Sequence, residues 1–363
     1  MSERWGKAKV VASSSGFNYG SGRDLDKQGS CHSLQMMGRE MPSPYNWRER
    51  PADYPALCEK LAPLQSEALC KPLRAGLRFG LDLKICAPCT LAGGRGLPTI
   101  FPAGSPLSSS TVTLELDGAL QSGLDGDSDS QVWTAKVVNV PSTHLVMKII
   151  QPSLCFRPDP SDPHWFHAYD DPYDLAHNEA WVYQQLARLQ GHSIPYFFGV
   201  FEITTPSDEI AWTLVLEYVP GPTMQTIAKI SPASVNHFCE LGLKAVQGLA
   251  LSGWALGDIC SATNYIFNSS SEDPVVVMVD LYDTVYIPDL QPPPSFERVA
   301  CTSAKRFFHT FKSSVRDRCP SFFDWAKQNL PREVWDLYFP DSPDGESEDD
   351  GDGRKQENES DKL

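Results

Sequence analysis

The chain has 363 residues, and its 46 Asp and Glu residues against 31 Lys and Arg residues give a formal net charge of −15. Nucleic acids and anionic membranes bind basic surfaces, so this acidity excludes both as expected partners. With 41% hydrophobic residues the chain can bury a core, which excludes a protein that is disordered throughout.

The first residues are charged and lack the apolar core of a secretion signal. The strongest apolar run, residues 275–279, is far too short to cross a bilayer. We therefore expect an intracellular protein, either cytoplasmic or nuclear.

Composition divides the chain into three regions. Residues 1–110 contain Ser/Gly-rich and Pro-rich stretches, so we expect an irregular N-terminal extension that is partly disordered, with short helices near residues 54–61 and 64–73. Residues 111–340 carry the periodic patterns of a folded domain. Residues 341–363 hold 10 acidic and 3 basic residues, which predicts an acidic disordered tail.

The ten cysteines are scattered, and Cys86 and Cys89 form the only C-x-x-C pair. In a long chain without a secretion signal, reduced thiols are the default. A metal or redox role for this pair is the alternative, although no second pair follows to complete a zinc site.

Within the folded region, alternating and β-branched runs predict strands, and apolar residues spaced by three and four predict helices. A helix should begin near Asp174 as its N-cap, and Gly191 should end it. The predicted strands are 111–116, 132–138, 145–150, 196–203, 212–219, 265–267 and 275–279, and a long helix is predicted at 232–252.

Lys148 lies in the middle of the apolar strand Leu-Val-Met-Lys-Ile-Ile. Lysine is rarely buried without a partner, so a lysine at the centre of an apolar strand must either reach solvent or pair with an anion. One interpretation is an edge strand with Lys148 on its solvated face. The other is a buried cation that pairs with a carboxylate and an anionic ligand.

The next helix supplies a candidate carboxylate. Leu175, Val182 and Leu186 fall on one helical stripe, and Glu179 occupies the missing position of that stripe. A carboxylate on an apolar face is costly unless it is paired, so Glu179 and Lys148 are complementary.

A third group of polar residues follows the long helix. Asp258 lies in a short loop, Asn264 opens a strand six residues later, and Asp280 ends the strand that closes the following hairpin. Carboxylate and amide oxygens of this kind are the ligands that Mg²⁺ favours. Simple turn roles for Asp and Asn are the alternative for either loop alone.

The order of strand lysine, helix glutamate, long helix, Asp–loop–Asn, hairpin and strand aspartate resembles the protein-kinase-like superfamily. Residues 214–219 with Pro220-Gly221 look like the hinge of that family. The gapped order Asn-Glu-Ala…Tyr…Leu…Ile-Pro…Phe-Gly-Val-Phe over residues 178–201 is most similar to divergent kinase-like proteins of filamentous fungi. The resemblance covers residues 111–289, about half of the chain.

The resemblance implies an α+β, two-lobed fold. A small antiparallel β lobe would span about residues 111–219, and a mostly helical, shortened C-lobe would span about residues 220–340. The implied cofactors are ATP and Mg²⁺, and the implied partners are a nucleotide and a protein or small-molecule substrate.

It also implies roles for individual residues. Lys148 would contact the α- and β-phosphates and pair with Glu179, and the hinge residues Glu217 and Val219 would hold the adenine. Asp258 would orient the attacking hydroxyl and accept its proton.

The two remaining oxygen ligands complete the implied site. Asn264 and Asp280 would bind Mg²⁺, which neutralises charge on the transferred phosphoryl group.

Several positions depart from the family pattern. The family's His before the catalytic Asp is Leu256, Cys260 stands where many protein kinases have a basic residue, and the Asp258–Asn264 spacing is one residue longer than usual. The Phe-Gly after the metal-binding Asp is Leu281-Tyr282, which removes a flexible glycine.

The phosphate loop and the C-terminal region depart as well. The loop glycines are Gly118, Gly123 and Gly126, without the family spacing, and Asp125, Asp127 and Asp129 lie among them, which predicts a long solvated hairpin tip. No Ala-Pro-Glu follows Asp280.

The resemblance and its departures together predict one of two functions. The first is an ATP- and Mg²⁺-dependent phosphotransferase that acts on a hydroxyl. The second is a catalytically weak or inactive pseudokinase that acts as a binding or scaffold module.

Overall fold

The structure is a computed structural model. It describes residues 54–84, 95, 109–124, 128–159, 161, 170–227, 232–257, 259, 261–269, 273–289, 294–315 and 328. Asp258, Cys260, the pair Cys86 and Cys89, and the predicted acidic tail lie outside the described residues.

A six-stranded antiparallel sheet forms the first part of the α+β fold, with strand order β1-β2-β3-β4-β6-β5. Its edge strands, β1 and β5, lie against each other, so the sheet is curled into a nearly closed barrel. Alternate residues of β3 are buried, as expected for a strand with one face on a core. The strands are β1 Arg78–Lys84, β2 Ser109–Gln121, β3 Gln131–Val137, β4 Val140–Ile150, β5 Phe197–Thr204 and β6 Ile210–Glu217.

Part of the predicted N-terminal extension belongs to this sheet. The sequence predicted short helices before residue 111 and no strand, whereas the structure has one helix, α1 (Tyr54–Cys70), followed by β1. Arg78 in β1 pairs with Glu115 in β2, so the sheet begins upstream of residue 111. The Tyr54 hydroxyl donates a hydrogen bond to the Pro158 carbonyl at 2.9 Å, which ties α1 to the segment after β4.

Helices and short strands form the second part of the fold. A core of buried apolar residues lies between them and the outer face of the sheet. The helices are α2 Pro172–Gln185, α3 Met224–Ile227, α4 Pro232–Leu251 and α5 Phe296–Val315. The strands β7 Trp254–Leu256 and β10 Thr284–Tyr286 pair with each other, as do β8 Tyr265–Asn268 and β9 Val275–Met278.

The start of α2 differs from the prediction. Asp171, not Asp174, is the N-cap, and its carboxylate accepts a hydrogen bond from the Tyr173 backbone N–H at 2.8 Å. Pro172 explains the shift, because proline fits the first helical position and has no N–H to satisfy. Asp174 lies in the first turn, where a negative charge is also favourable.

Gly221 makes the turn from the sheet into the helical part possible. Its φ is +144°, and a Cβ built on it would lie 2.0 Å from the Phe267 carbonyl oxygen. Only glycine accommodates this backbone approach. Next to it, the Phe267 N–H donates a hydrogen bond to the Pro222 carbonyl at 2.8 Å, which holds the connection against β8.

Among the described residues, no helix is long and apolar enough to cross a membrane.

Two glycines of α4 provide a test of the packing between α4 and α5. A Cβ on buried Gly242 would lie 2.1 Å from Phe307 Cζ, and the fully buried Phe307 ring stacks on Phe238 and Phe311. Gly242→Ala should therefore lower the free energy of unfolding by about 1–3 kcal/mol in urea titrations.

Gly248→Ala is the matched control on the same helix. A Cβ there meets no atom within 4 Å, so the substitution should raise the free energy of unfolding by up to about 1 kcal/mol. Equal effects of the two substitutions would contradict the packing described for Gly242.

Candidate functional site

Lys148 lies on a central strand. Its strand β4 is paired on both sides, since Lys148 is opposite Val132 in β3 and opposite Leu214 in β6. The residue is only 8% exposed. The interpretation of Lys148 as a solvated residue on an edge strand is therefore wrong, because neighbouring strands cover both edges of β4.

Lys148 and Glu179 form a buried ion pair. Lys148 Nζ lies 2.7 Å from Glu179 Oε2, and the Glu179 side chain has no exposed surface. Leu175 and Val182, on the same face of α2, are buried beside it, so the helical stripe places Glu179 against the sheet. The second Glu179 oxygen accepts a hydrogen bond from the Leu281 backbone N–H at 3.2 Å.

Asp280 is the second carboxylate on the same ammonium. Its Oδ1 lies 2.5 Å from Lys148 Nζ, and its side chain is 36% exposed, whereas that of Glu179 is fully enclosed. Asp280 has a φ of +62°, a conformation that non-glycine residues seldom adopt. Strained backbone of this kind concentrates at functional sites, where surrounding contacts hold it in place.

Burial and charge act in opposite directions on Lys148. Burial by itself lowers the pKa of Lys148, but attraction to Glu179 and Asp280 outweighs it and raises the pKa above the usual value. Burial raises the pKa of Glu179, Lys148 lowers it, and the neighbouring Asp280 carboxylate raises it further. One cation thus serves two carboxylates, of which Glu179 is the more costly to keep ionised.

Tyr282 completes the surroundings of the ammonium. Its ring centroid lies 5.6 Å from Lys148 Nζ, within the range of a cation–π contact. Asp280, Leu281 and Tyr282 therefore each contact the Lys148–Glu179 pair. The sequence marked Tyr282 only as a departure from the family's glycine; its contact with Lys148 depends on tertiary structure.

Asn264 lies beside Asp280 at the open end of the β8–β9 hairpin. The Val279 N–H donates a hydrogen bond to the Asn264 carbonyl at 2.9 Å, which places Asn264 next to the residue before Asp280. Asn264 is 5% exposed, and its side-chain oxygen accepts a hydrogen bond from Thr263 Oγ1 at 3.4 Å. The structure thus brings together Lys148, Glu179 and Asp280, with Asn264 on the adjoining strand end.

Asp258 lies outside the described residues, but both of its neighbours are fixed. The Gly257 N–H donates a hydrogen bond to the Asp283 carbonyl at 3.0 Å, and the Tyr265 hydroxyl donates one to the Ile259 carbonyl at 3.0 Å. Gly257 therefore lies against the segment after Asp280, and Ile259 lies against β8. Its catalytic role stays a prediction.

The oxygen donors of Asn264 and Asp280 are of the kind that Mg²⁺ binds. In the part of the chain that the structure describes, no group of three or more His, Cys, Asp or Glu side chains could hold a metal ion. The two residues therefore fit a magnesium ion only if further oxygens, from Asp258, water or phosphate, complete its coordination.

The side chain of Glu217, predicted as a hinge residue, is bound to the protein itself. Arg95 Nε and Nη2 each lie 2.8 Å from one Glu217 oxygen, and the two side chains are 8% and 9% exposed. The same guanidinium donates hydrogen bonds to the carbonyls of His192 and Ile194. The Glu217 N–H also donates a hydrogen bond to the Tyr196 carbonyl at 2.9 Å. The Glu217 carbonyl and the backbone of Val219, which is 5% exposed, thus remain as the hinge candidates to bind a nucleotide base.

Arg95 could not be recognised from the sequence. It lies in a Gly-rich stretch, Gly93-Gly94-Arg95-Gly96, without a periodic pattern. The structure nevertheless fixes its backbone too: the Arg95 N–H donates a hydrogen bond to the Gly191 carbonyl at 2.8 Å, and its own carbonyl accepts one from the Tyr196 hydroxyl at 2.6 Å.

The acidic hairpin between β2 and β3 is only partly described, since Asp125, Gly126 and Asp127 lie outside the described residues. Asp129 is half-buried, and its Oδ1 accepts a hydrogen bond from the Phe156 backbone N–H at 2.9 Å. Asp129 is thus tied to the segment after β4, and the prediction of a solvated tip at the centre of the hairpin stays a prediction.

The structure shows free thiols at Cys58, Cys70, Cys155 and Cys239. Burial raises the pKa of the Cys155 and Cys239 thiols, which keeps them protonated and unreactive. A role of Cys86 and Cys89 stays untested.

Lys148→Met should lower the free energy of unfolding by about 3–5 kcal/mol near pH 8, because two carboxylates lose their shared cation. The loss should shrink as the pH falls towards 5. Burial already raises the pKa of Glu179, so the folded variant binds a proton that the unfolded chain does not, and lower pH favours the folded state. Urea titrations from pH 5 to pH 8 measure this dependence.

The control is the double variant Lys148→Met with Glu179→Gln. It lacks the buried carboxyl group, so the difference between its free energy of unfolding and that of the wild type should vary little with pH. A pH-independent loss in Lys148→Met alone would contradict the assignment of Glu179 as the costly buried charge.

Two Arg–Glu pairs that differ in exposure test the Arg95 contact. Arg95→Ala should cost about 3–5 kcal/mol of unfolding free energy, because it leaves Glu217 buried without its cation. Arg78→Ala breaks the pair with Glu115, whose side chains are 39% and 31% exposed, and should cost less than about 1 kcal/mol. Urea titrations that give equal losses would show that Glu217 is not buried in solution.

Comparison with models of known protein families gives no match, and comparison with curated proteins gives none either.

Proposed function

We propose that the chain is an ATP- and Mg²⁺-dependent phosphotransferase of the protein-kinase-like superfamily, which transfers the γ-phosphate to a hydroxyl. The observation that carries the proposal is the buried contact of Lys148 with Glu179 and Asp280. Structural stability alone gives little reason to bury an ammonium between two carboxylates, since apolar residues often stabilise such a position equally well. A site for a polyphosphate and its metal ion requires all three groups.

The fold is compatible with a kinase-like arrangement of two lobes. The curled sheet would form the smaller lobe and the helices the larger one, with residues 217–222 as the connection between them. Close packing of Gly221 against Phe267 supports this division, because it fixes where the chain leaves β6. The cleft between the lobes would then lie along β4 and the β8–β9 hairpin.

Each residue of the site would have one role. Lys148 would bind the α- and β-phosphates and stay oriented by Glu179, and the Glu217 carbonyl and backbone groups of Val219 would bind the adenine. Asp258 would orient the substrate hydroxyl and accept its proton as the oxygen bonds to the γ-phosphorus and ADP leaves. Asn264 and Asp280 would hold Mg²⁺, which supplies charge neutralisation at the phosphates.

A pseudokinase is the second candidate, and a specific observation favours it. Lys148 already donates to two carboxylates and faces the ring of Tyr282, so the ammonium is satisfied without a ligand. Leu256, where the family has its His, removes a further part of the catalytic loop. On this proposal the chain binds a partner and does not turn over nucleotide.

Thermal unfolding with and without ATP and Mg²⁺ tests whether the chain binds nucleotide, which the phosphotransferase requires. If the site binds ATP, nucleotide at about 100 times the dissociation constant should raise the melting temperature by about 5 °C or more. No shift at millimolar ATP would contradict the phosphotransferase.

Release of ADP, with water or an added hydroxyl compound as acceptor, then separates the enzyme from the pseudokinase. Asp258→Asn and Asp280→Asn should abolish it, whereas Asp283→Asn, an exposed carboxylate on the same segment, should not. Activity that persists in both site variants would contradict the assigned roles, and binding without ADP release in the wild type would favour the pseudokinase.

A further inference from the structure

Tyr282 occupies a position that controls access to Lys148. The ring packs against the core between the sheet and the helices, and its centroid lies 5.6 Å from Lys148 Nζ. An ammonium is attracted to the face of an aromatic ring at this distance, most strongly where water is excluded. With Lys148 only 8% exposed, the contact lies in such a place.

The hydrogen-bonding capacity of Lys148 is limited. An ammonium has three N–H donors and no acceptor. One donates to Glu179 Oε2 at 2.7 Å and a second to Asp280 Oδ1 at 2.5 Å, while the Tyr282 ring lies over the group. The ring lies over the remaining side of the ammonium, so a phosphate oxygen that approaches from that side must displace it.

The three neighbours differ in their freedom to move. Glu179 is fully buried and also accepts a hydrogen bond from the Leu281 N–H, so its withdrawal would leave a buried donor unsatisfied. Leu281, which lies between Asp280 and Tyr282, has no exposed surface and holds the backbone of this segment in place. Asp280, 36% exposed, and Tyr282, half-buried, can rotate their side chains about this fixed point.

We propose that the Tyr282 ring is a gate over Lys148: it covers the ammonium in the absence of ligand and must turn away before a polyphosphate binds. The inference deepens the proposed function, since the ligand it admits is the triphosphate of that site. A residue without an aromatic face at this position would lack the attraction that holds the side chain over the ammonium.

The surroundings of Tyr282 keep its hydroxyl neutral. Burial raises the pKa of Tyr282 to about 12, and the carboxylates of Asp283, Asp280, Asp170 and Asp129 add to the effect. The ring therefore carries no charge near pH 7, and only its aromatic face attracts Lys148. Substitution by Phe preserves that face, and substitution by Leu removes it while it keeps an apolar side chain.

The experiment measures the reactivity of the Lys148 amine, which rises when the ammonium becomes accessible and also when it loses the cation–π contact. Wild type, Tyr282→Phe and Tyr282→Leu are treated with an amine-acetylating reagent at pH 8, and mass spectrometry gives the labelling rate of Lys148 relative to Lys244. Lys244, on the exposed face of α4 and 65% exposed, is an internal reference. We expect Lys148 to be labelled about fivefold faster in Tyr282→Leu and at the wild-type rate in Tyr282→Phe.

Binding of Mg-ATP and of tripolyphosphate, measured on the same three proteins by thermal unfolding, provides the second readout. Both dissociation constants should fall about fivefold in Tyr282→Leu and stay unchanged in Tyr282→Phe. Tyr282→Met replaces Tyr282→Leu, with the same expectations, if the leucine variant does not fold.

The outcomes separate the gate from the proposed function. Equal labelling of Lys148 in the Leu and Phe variants overturns the gate, even where Mg-ATP binds and the proposed function stands. Faster labelling together with tighter tripolyphosphate binding in Tyr282→Leu, without Mg-ATP binding in any protein, supports the gate over Lys148 and overturns the phosphotransferase.

Discussion

The ammonium of Lys148 lies between carboxylates from two different parts of the fold. Lys148 belongs to the central strand β4, Glu179 to the helix α2, and Asp280 to the segment that follows β9. Moving charges out of water costs several kcal/mol for each ion, which only close and well-directed contacts offset. The relative positions of the sheet, α2 and the hairpin are therefore coupled, because a shift of any one would leave a charge buried without its partner.

A second buried carboxylate shows that the fold does not need a cation for every such group. Glu209 is 7% exposed and accepts hydrogen bonds from the Gln151 amide, the Ser153 backbone N–H and the Ser153 hydroxyl, at 2.6 to 2.8 Å. Neutral donors thus stabilise this carboxylate at one end of the sheet. Neutral donors could stabilise Glu179 in the same way, so the ammonium of Lys148 at this place, shared with Asp280, is the feature on which the proposed function rests.

Local patterns predicted the elements that carry the site. Each of these elements has a periodicity or composition that can be recognised within about ten residues. They are the apolar run around Lys148, the stripe of α2 that includes Glu179, and the β-branched strand before Asp280. Arg95, β1 and the Tyr282 contact depend on partners far away in the sequence, and their own surroundings carry no periodic signal. The N-cap of α2 was misplaced because Pro172 shifts the helix start towards Asp171, a competition between two local preferences.

The contact of Arg95 with Glu217 has a consequence for the order of folding during synthesis. The two residues are 122 positions apart, so the ribosome releases Arg95 long before its partner exists. Until β6 is made, the Arg95 guanidinium lacks the Glu217 carboxylate, and closing the long loop between the two positions costs chain entropy. Long-range contacts of this kind form late. The Arg95–Glu217 contact can therefore form only after β6 has been synthesised, so the full stability that it gives is available only to a chain with a completed sheet.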